Sequence, residues 1–231
     1  MSSLKSIAGD SVLVLAPHPD DEVLGCGGTL ARLSCEKVST HVVVMTGDVK
    51  ARAFDNWREH VRADEIGKVR QHLVLSSVSC QGYPASTLHS LATRELVDEL
   101  RSTIELLQPA TLFLPWIGDI HSDHQVAARA GLAAAKSFRT PTVKTVLFYE
   151  TLSETNGTST LRTEVFSPQL WIDVSSHIDQ KLDACLSYAT EFGSHPFPRS
   201  EIAVRSLAAL RGSECGVSAA ESFVVQRLFC A

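Results

Sequence analysis

A short apolar, β-branched run at Ser11–Ala16 leads directly into the acidic turn Pro17–Glu22. The run lacks a helical period and is shorter than an ordinary helix, so it predicts a buried strand. Similar runs recur at three other places and alternate with helical patterns: His41–Thr46, Thr111–Pro115 and Thr145–Tyr149. This alternation predicts an α/β fold with a mostly parallel sheet covered by helices on both faces.

The remaining pattern predicts further elements along the chain. Helices are expected over residues 56–70, 93–107, 123–135, 175–190 and 201–210, and short strands over 72–75 and 169–174. The prolines of His195-Pro-Phe-Pro predict an extended, rigid segment. The tail at 220–229 fits a strand or a helix. If the strands follow the order 3-2-1-4-5, the strands ending at Ala16 and Pro115 are neighbours.

Composition narrows the class of protein. The chain has 231 residues, with 44% hydrophobic and 20% charged residues and a formal net charge of −5. We therefore expect a single domain over 1–231. Without a basic run, nucleic acid is not an expected partner. No apolar stretch is long enough for a membrane span, and the N-terminus lacks a signal-peptide pattern, so we expect a cytoplasmic protein.

Six scattered cysteines form no Cys-x-x-Cys pair. In this setting they are expected to be reduced and mostly buried. Cys26 lies in the glycine-rich segment Gly25–Gly28, where it either fits a tight turn or lies near the site described next.

The first site cluster follows the strand Ser11–Ala16. His18 and Asp21 supply an imidazole nitrogen and a carboxylate oxygen three residues apart, a mixture that zinc and similar metals accept. Asp20 lies between them and is left to handle a proton. Taken alone, the acidic turn would also fit an ordinary helix start, because Asp caps exposed backbone N–H groups.

A second cluster, Asp119-Ile-His121-Ser-Asp123-His124, follows the strand Thr111–Pro115. If the two strands are neighbours, both clusters open into one crevice. His18, Asp21 and either His121 or His124 then make a two-histidine, one-carboxylate set. Three protein ligands leave a position for water, which distinguishes catalytic from structural zinc sites.

These motifs closely resemble those of the LmbE-like (PIG-L) zinc-dependent N-deacetylases. The resemblance lies in Ala16-Pro-His-Pro-Asp-Asp-Glu22 with the glycines behind it and in the second cluster. It extends to His195-Pro-Phe-Pro-Arg199, Arg211-Gly212 and Ala220-Glu-Ser-Phe223. It implies a Rossmann-like sheet and removal of an acetyl group from an N-acetylated amino sugar or its conjugate. Homo-oligomers are common in the family.

The resemblance also implies a role for each motif residue. His18, Asp21 and His124 would hold Zn²⁺, for which Fe²⁺ is an alternative with the same ligands. Asp20 would be the general base. His121 would stabilise the oxyanion or act as an acid, and Asp123 would orient a histidine.

Substrate recognition is less defined by the sequence. Asp48, Arg52 and Glu150 follow strand ends and are candidate substrate contacts. Where many family members carry Asp-Gly after Gly82-Tyr83-Pro84, this chain has Ala85-Ser86, so we expect the pocket to differ in shape there.

Three other functions fit parts of the pattern. One is a metal-dependent amidase for another small N-acyl substrate. Another is a metal-retaining binding protein without turnover, although Asp20 and His121 are both present. A nucleotide-binding Rossmann protein is disfavoured, because Gly25-x-Gly27-Gly28 departs from Gly-x-Gly-x-x-Gly and the preceding carboxylates would repel a pyrophosphate.

Overall fold

The computed structural model describes residues 3–47, 56–158 and 165–229, with backbone only for 56–61. Its strands are β1 Ser11–Ala16, β2 Ser39–Thr46, β3 Ser77–Tyr83, β4 Thr111–Pro115, β5 Thr145–Tyr149, β6 Leu170–Asp173 and β7 Ala220–Leu228. Its α-helices are α1 Lys5–Ala8, α2 Asp21–Cys35, α3 Asn56–Leu73, α4 Thr93–Leu107, α5 Ser122–Ala134, α6 Ile178–Ser187 and α7 Glu201–Cys215. Short 3₁₀ helices span Leu88–Ser90 and Thr155–Thr158.

The seven strands form one sheet in the order β3-β2-β1-β4-β5-β7-β6. Strands β3, β2, β1, β4 and β5 are parallel, and β7 runs antiparallel to both β5 and β6. The predicted α/β class and the 3-2-1-4-5 order are confirmed. The ambiguous tail is a strand, β7, which lies between β5 and β6.

Helices cover both faces of the sheet, as predicted. Along β1, Val12 and Val14 contribute to the core under α2, α3, α6 and α7, whereas Leu13 and Leu15 contribute to the core under α4 and α5. Because successive strand residues point to opposite faces, a strand buried on both sides must be apolar throughout. This requirement explains the continuous apolar run from which the strand was predicted.

The glycines of α2 allow that helix to lie close to the sheet. A Cβ on Gly25 would lie 2.2 Å from Cδ2 of Tyr149, and one on Gly28 would lie 2.7 Å from Cβ of Val174. Cys26 is fully buried in the same apolar core, where burial raises the pKa of its thiol. The glycine-rich segment is therefore a helix-packing surface.

Two local predictions were wrong. The strand expected at 72–75 is absent, because α3 continues to Leu73 and the strand, β3, lies at Ser77–Tyr83. That edge strand is largely polar and partly exposed, so it carries no apolar run. The segment at 195–198 turns instead of extending, with the N–H of Phe197 donating to the carbonyl of Ser194 at 3.0 Å. No described helix has the length and apolar character that a membrane crossing requires.

Candidate active site

The loop after β1 places its carboxylates through a strained residue. Asp20 has φ 152°, an uncommon value for a residue with a side chain, and α2 begins at the next residue. Its backbone N–H donates to Oε2 of Glu22 at 3.2 Å. The other oxygen of Glu22 accepts a 2.6 Å hydrogen bond from the hydroxyl of Tyr188, next to α6. Contacts from a distant part of the chain therefore support the conformation of Asp20.

The loop after β4 is organised by pairs within its own motif. Oδ2 of Asp119 lies 2.7 Å from Nδ1 of His124, and both side chains are fully buried. His121 caps α5, its Nδ1 accepting from the backbone N–H of Asp123 at 3.1 Å. The hydroxyl of Thr155 donates to Oδ1 of Asp119 at 2.6 Å. This arrangement fixes the ring orientation of both histidines.

The two loops meet because β1 and β4 are adjacent in the sheet. Oδ2 of Asp21 lies 3.2 Å from Nδ1 of His18 and 3.2 Å from Nε2 of His124. One ligand atom from each of these three residues lies within 4.8 Å of the others. The structure thus brings together the three candidate ligands that the resemblance implied, and of the two histidines in the second cluster it is His124 that lies beside Asp21.

The donor set suits a divalent metal. His124 Nε2 is buried and has no hydrogen-bond partner within the described part of the chain, although Asp21 is close. With Nδ1 engaged by Asp119, Nε2 is the nitrogen that would face an ion, and the carboxylate behind the ring is the arrangement usual for metal-bound histidine. Two imidazoles and one carboxylate are ligands for Zn²⁺ or Fe²⁺.

A second combination, His18, His121 and Asp123, also places its donor atoms within 4.8 Å. Asp123, however, already accepts backbone hydrogen bonds from Ser86 at 2.6 Å and from Leu88 at 3.0 Å. Its Oδ2 also lies 3.2 Å from Nε2 of His18. The carboxylate that was expected to orient a histidine therefore contacts His18 and anchors the loop around Ala85-Ser86.

The adjacent acids Asp20 and Asp21 have opposite electrostatic surroundings. Burial raises the pKa of Asp20 well above its ordinary value, and the charge of Asp21 adds to the rise. Burial also acts upward on Asp21, but His124 and His18 outweigh it and lower its pKa. The surroundings therefore favour the anionic form of Asp21 and make Asp20 the more basic of the two carboxylates.

The three histidines of the site also differ in how their surroundings shift their pKa values. Burial lowers the pKa of His18, but hydrogen bonds with Asp123 and Asp21 outweigh it and raise the value to about 9. His124 behaves similarly, with Asp21 and Asp119 raising its pKa against burial. For His121, burial and the two neighbouring imidazoles all act downward. His121 is therefore the histidine most favoured in its neutral form.

A cavity of about 230 Å³ opens onto these side chains. Besides the motif residues His18, Asp20, Asp21, His121 and His124, it is lined by Pro19, Thr46, Gly47, Arg62, Ala85, Glu154, Glu191 and Arg199. Sequence reasoning missed the charged wall formed by Arg62, Glu154, Glu191 and Arg199. Arg62 lies on α3, Glu154 follows β5, and Glu191 and Arg199 lie between α6 and α7, so no local spacing signals this wall.

None of the three candidate substrate contacts is found in the lining of this cavity within the described residues. Asp48 and Arg52 fall outside the described residues. Glu150 accepts hydrogen bonds from Nε and Nη2 of Arg211 at 2.7 and 2.8 Å and from the hydroxyl of Ser222 at 2.8 Å. It does not line the 230 Å³ cavity in the described part of the chain. Its role in substrate binding stays a prediction.

Comparison with known proteins identifies the family. Residues 13–135, more than half of the chain, match the PIG-L family, described as GlcNAc-PI de-N-acetylase. The chain belongs to the PIG-L family. A relative, the probable N-acetyl-alpha-D-glucosaminyl L-malate deacetylase 2 of Bacillus anthracis, is 27% identical over 192 residues, covering 79% of this chain and 82% of the relative. Both loops that carry the candidate metal ligands lie within the matched region.

Solved structures of similar fold support the architecture. The conserved protein TT1542 from Thermus thermophilus superposes with a TM-score of 0.77 at 29% identity, covering 95% of this chain and 96% of that protein. N,N'-diacetylchitobiose deacetylase from Pyrococcus horikoshii gives a TM-score of 0.75 at 20% identity, covering 98% and 88%. The PIG-L chain therefore shares its α/β architecture with these proteins over nearly its whole described length.

Proposed function

We propose that this PIG-L protein is a metal-dependent hydrolase that removes the acetyl group from an N-acetylated amino sugar of the N-acetylglucosamine type, or from its conjugate. Membership of the family and the deacetylase name of its Bacillus anthracis relative support the reaction class. The paired loops support the chemistry, since they combine a ligand set, a base and a neutral histidine around one cavity.

The observation that carries the proposal is the convergence of three donor groups: Nε2 of His124, which is buried and makes no hydrogen bond within the described residues, lies 3.2 Å from Oδ2 of Asp21, and a ring nitrogen of His18 lies within 4.8 Å of both. A cation between these groups would be held by all three. His18, Asp21 and His124 would hold Zn²⁺ or Fe²⁺. Such an ion supplies Lewis acidity, which acidifies water and polarises a carbonyl.

Asp20 would accept the proton of the attacking water. Its carboxylate is 1% exposed yet lines the cavity, and burial makes it more basic than an ordinary aspartate. Arg199 donates to its Oδ2 at 2.9 Å, which leaves Oδ1 for the proton. A base at this position would also return the proton to the departing amine.

His121 would stabilise the tetrahedral oxyanion. Because Nδ1 accepts from the backbone N–H of Asp123, the neutral ring carries its proton on Nε2. The lowered pKa favours this neutral form, which can donate one hydrogen bond. Between the two roles that the sequence left open, the local geometry favours oxyanion stabilisation over proton donation.

Acetate release from a panel of N-acetylglucosamine derivatives tests the proposal, with and without chelator and with zinc restored. We expect acetate and a free amine in equal amounts, loss of turnover after chelation and recovery with the metal. N-acetylated amino acids and simple acetamides in the same panel test the broader amidase. Stoichiometric metal without release from any compound would instead favour the binding protein.

A further inference from the structure

Arg199, which is far from Asp20 in sequence, contacts the carboxylate of this proposed base. Nη1 of Arg199 donates to Oδ2 of Asp20 at 2.9 Å across 179 residues of sequence. Arg199 immediately precedes Ser200, the N-cap of α7, and its carbonyl accepts from the N–H of Gly193 at 3.2 Å. Its guanidinium carbon lies 5.8 Å from the ring centre of Phe197. The backbone and the guanidinium of Arg199 are therefore both held.

The guanidinium also belongs to a row of alternating charges. Nη2 of Arg199 lies 3.5 Å from Glu191, whose other oxygen lies 2.9 Å from Arg62 on α3. Arg62 in turn pairs with Glu65 at 3.0 Å. The side chains of Arg199, Glu191 and Arg62 are only 20–26% exposed, so these pairs are less screened than surface pairs. The row links Asp20 to α3, whose Arg62 also lines the cavity.

The adjacent carboxylates of Asp20 and Asp21 have different partners. Asp21 is close to two histidines, whereas the cationic partner of Asp20 is Arg199. The two Nη atoms of Arg199 face carboxylates, and its Nε is buried without a hydrogen-bond partner in the described residues. The guanidinium is thus directed at the protein's own acids, although it lines the cavity wall.

On the basis of the proposed function, we propose that Arg199 is a positioning residue that fixes the carboxylate of the base Asp20, and that Glu191 holds Arg199 in place. Arg199 engages one oxygen, Oδ2, of a carboxylate whose residue lines the cavity. Misplacement of a reacting group by about 1 Å can cost on the order of 10²-fold in rate. The pair therefore contributes to turnover through Asp20, without contacting the metal ligands.

Steady-state kinetics and zinc content of Arg199→Met, Arg199→Lys and Glu191→Gln test this inference. We expect Arg199→Met to lower kcat by about 10- to 100-fold with a KM changed less than about threefold and with zinc content unchanged. Arg199→Lys keeps the positive charge and should therefore show a smaller fall in kcat than Arg199→Met. Glu191→Gln should also show a smaller fall in kcat than Arg199→Met. Arg205→Gln on α7, an exposed paired arginine, is the matched control and should behave as wild type.

A double-mutant cycle provides the decisive measurement. If Arg199 acts through Asp20, adding Arg199→Met to Asp20→Asn causes no further loss of kcat. Multiplicative losses, or a raised KM with unchanged kcat, would overturn the inference in favour of direct substrate contact. Should Arg199→Met fail to fold, the same cycle with Glu191→Gln applies.

The failure of this inference is distinguishable from failure of the proposed function. An inactive wild type with stoichiometric zinc would refute the deacetylase proposal. A crystal structure of Arg199→Met would still test the positioning role, which predicts a rotated Asp20 carboxylate. An unmoved carboxylate would contradict it.

Discussion

The loops after β1 and β4 face one cavity but are held in different ways. In the β4 loop, Asp119 bonds His124 and the N–H of Asp123 bonds His121, all within six residues of sequence. In the β1 loop, Asp20 depends on Arg199 for its side chain and, through Glu22, on Tyr188 for its backbone. His121 and His124 are therefore positioned mainly by their own motif, whereas Asp20 is positioned by distant residues.

This difference predicts that metal binding and turnover can be changed separately by mutation. The proposed ligands belong to short motifs with local partners. The candidate metal site therefore depends mainly on β1 and β4 being adjacent in the sheet, which brings the two motifs together. The proposed base is surrounded by residues from the loops around α6 and α7. Metal binding and turnover should therefore respond to different substitutions, although Asp20 and Asp21 are adjacent in sequence.

Removing a ligand should give the largest effect. We expect His124→Ala to lose stoichiometric zinc and to bring acetate release below detection, because one of three ligands is gone and Asp119 loses its partner. His18→Ala should do the same from the other loop. The exposed His89 offers the control His89→Ala, which should keep metal and activity. Stoichiometric zinc in either ligand variant, by metal analysis after dialysis, would refute the ligand assignment.

Changing the base should separate the two adjacent acids. Asp20→Asn keeps its shape but cannot accept a proton, so we expect zinc to be retained and kcat to fall about 10²- to 10⁴-fold. Asp21→Asn should instead lose zinc, because its carboxylate lies against both ligand histidines. Metal analysis and acetate release on the same samples check both. Equal zinc loss in the two variants would contradict the division of roles.

The β4 loop supplies a non-ligand histidine for comparison with Asp20. His121→Ala should retain zinc and lower kcat about 10²- to 10³-fold, as expected for losing one oxyanion donor. His121→Gln keeps a donor and should lose less. The measurement is kcat with zinc content determined in parallel. Unchanged kcat in His121→Ala would remove its proposed role.

The local patterns were sufficient to predict the central part of the fold and the convergence of the candidate ligands His18, Asp21 and His124. Ser11–Ala16 and Thr111–Pro115 are buried on both faces, so their apolar runs are visible without any tertiary information. Edge strand β3 carries no such run and was misplaced. Glu191 and Thr155 could not be found, because charged and hydroxyl residues in loops look the same in sequence whether they face solvent or a catalytic group. Arg199 lies in a segment that resembles the family, but the sequence does not show that its guanidinium reaches Asp20.

Thr155 offers the smallest predicted effect and tests the distant contact that supports Asp119 in the β4 loop. Its hydroxyl, 2.6 Å from Oδ1 of Asp119, accepts in turn from the N–H of Thr151 at 2.8 Å. Asp119 orients His124, so losing this hydroxyl should loosen the ligand. We expect Thr155→Val to weaken zinc affinity by about 10-fold, at the lower end of what partners of metal-bound histidines contribute.

Two matched variants distinguish the loss of the hydroxyl that orients Asp119 from a general disturbance of the Thr155–Thr158 turn. Thr155→Ser keeps the hydroxyl and should restore affinity, whereas Asn156→Ala alters an exposed neighbour and should leave affinity unchanged. Competition with a chromogenic chelator measures the zinc affinity directly, independent of turnover. Equal affinity in Thr155→Val and wild type would show that His124 is held by Asp119 alone. The support of His124 from behind its ring would then be local to the β4 loop, and its contrast with the distant support of Asp20 would be sharper than the hydrogen bonds suggest.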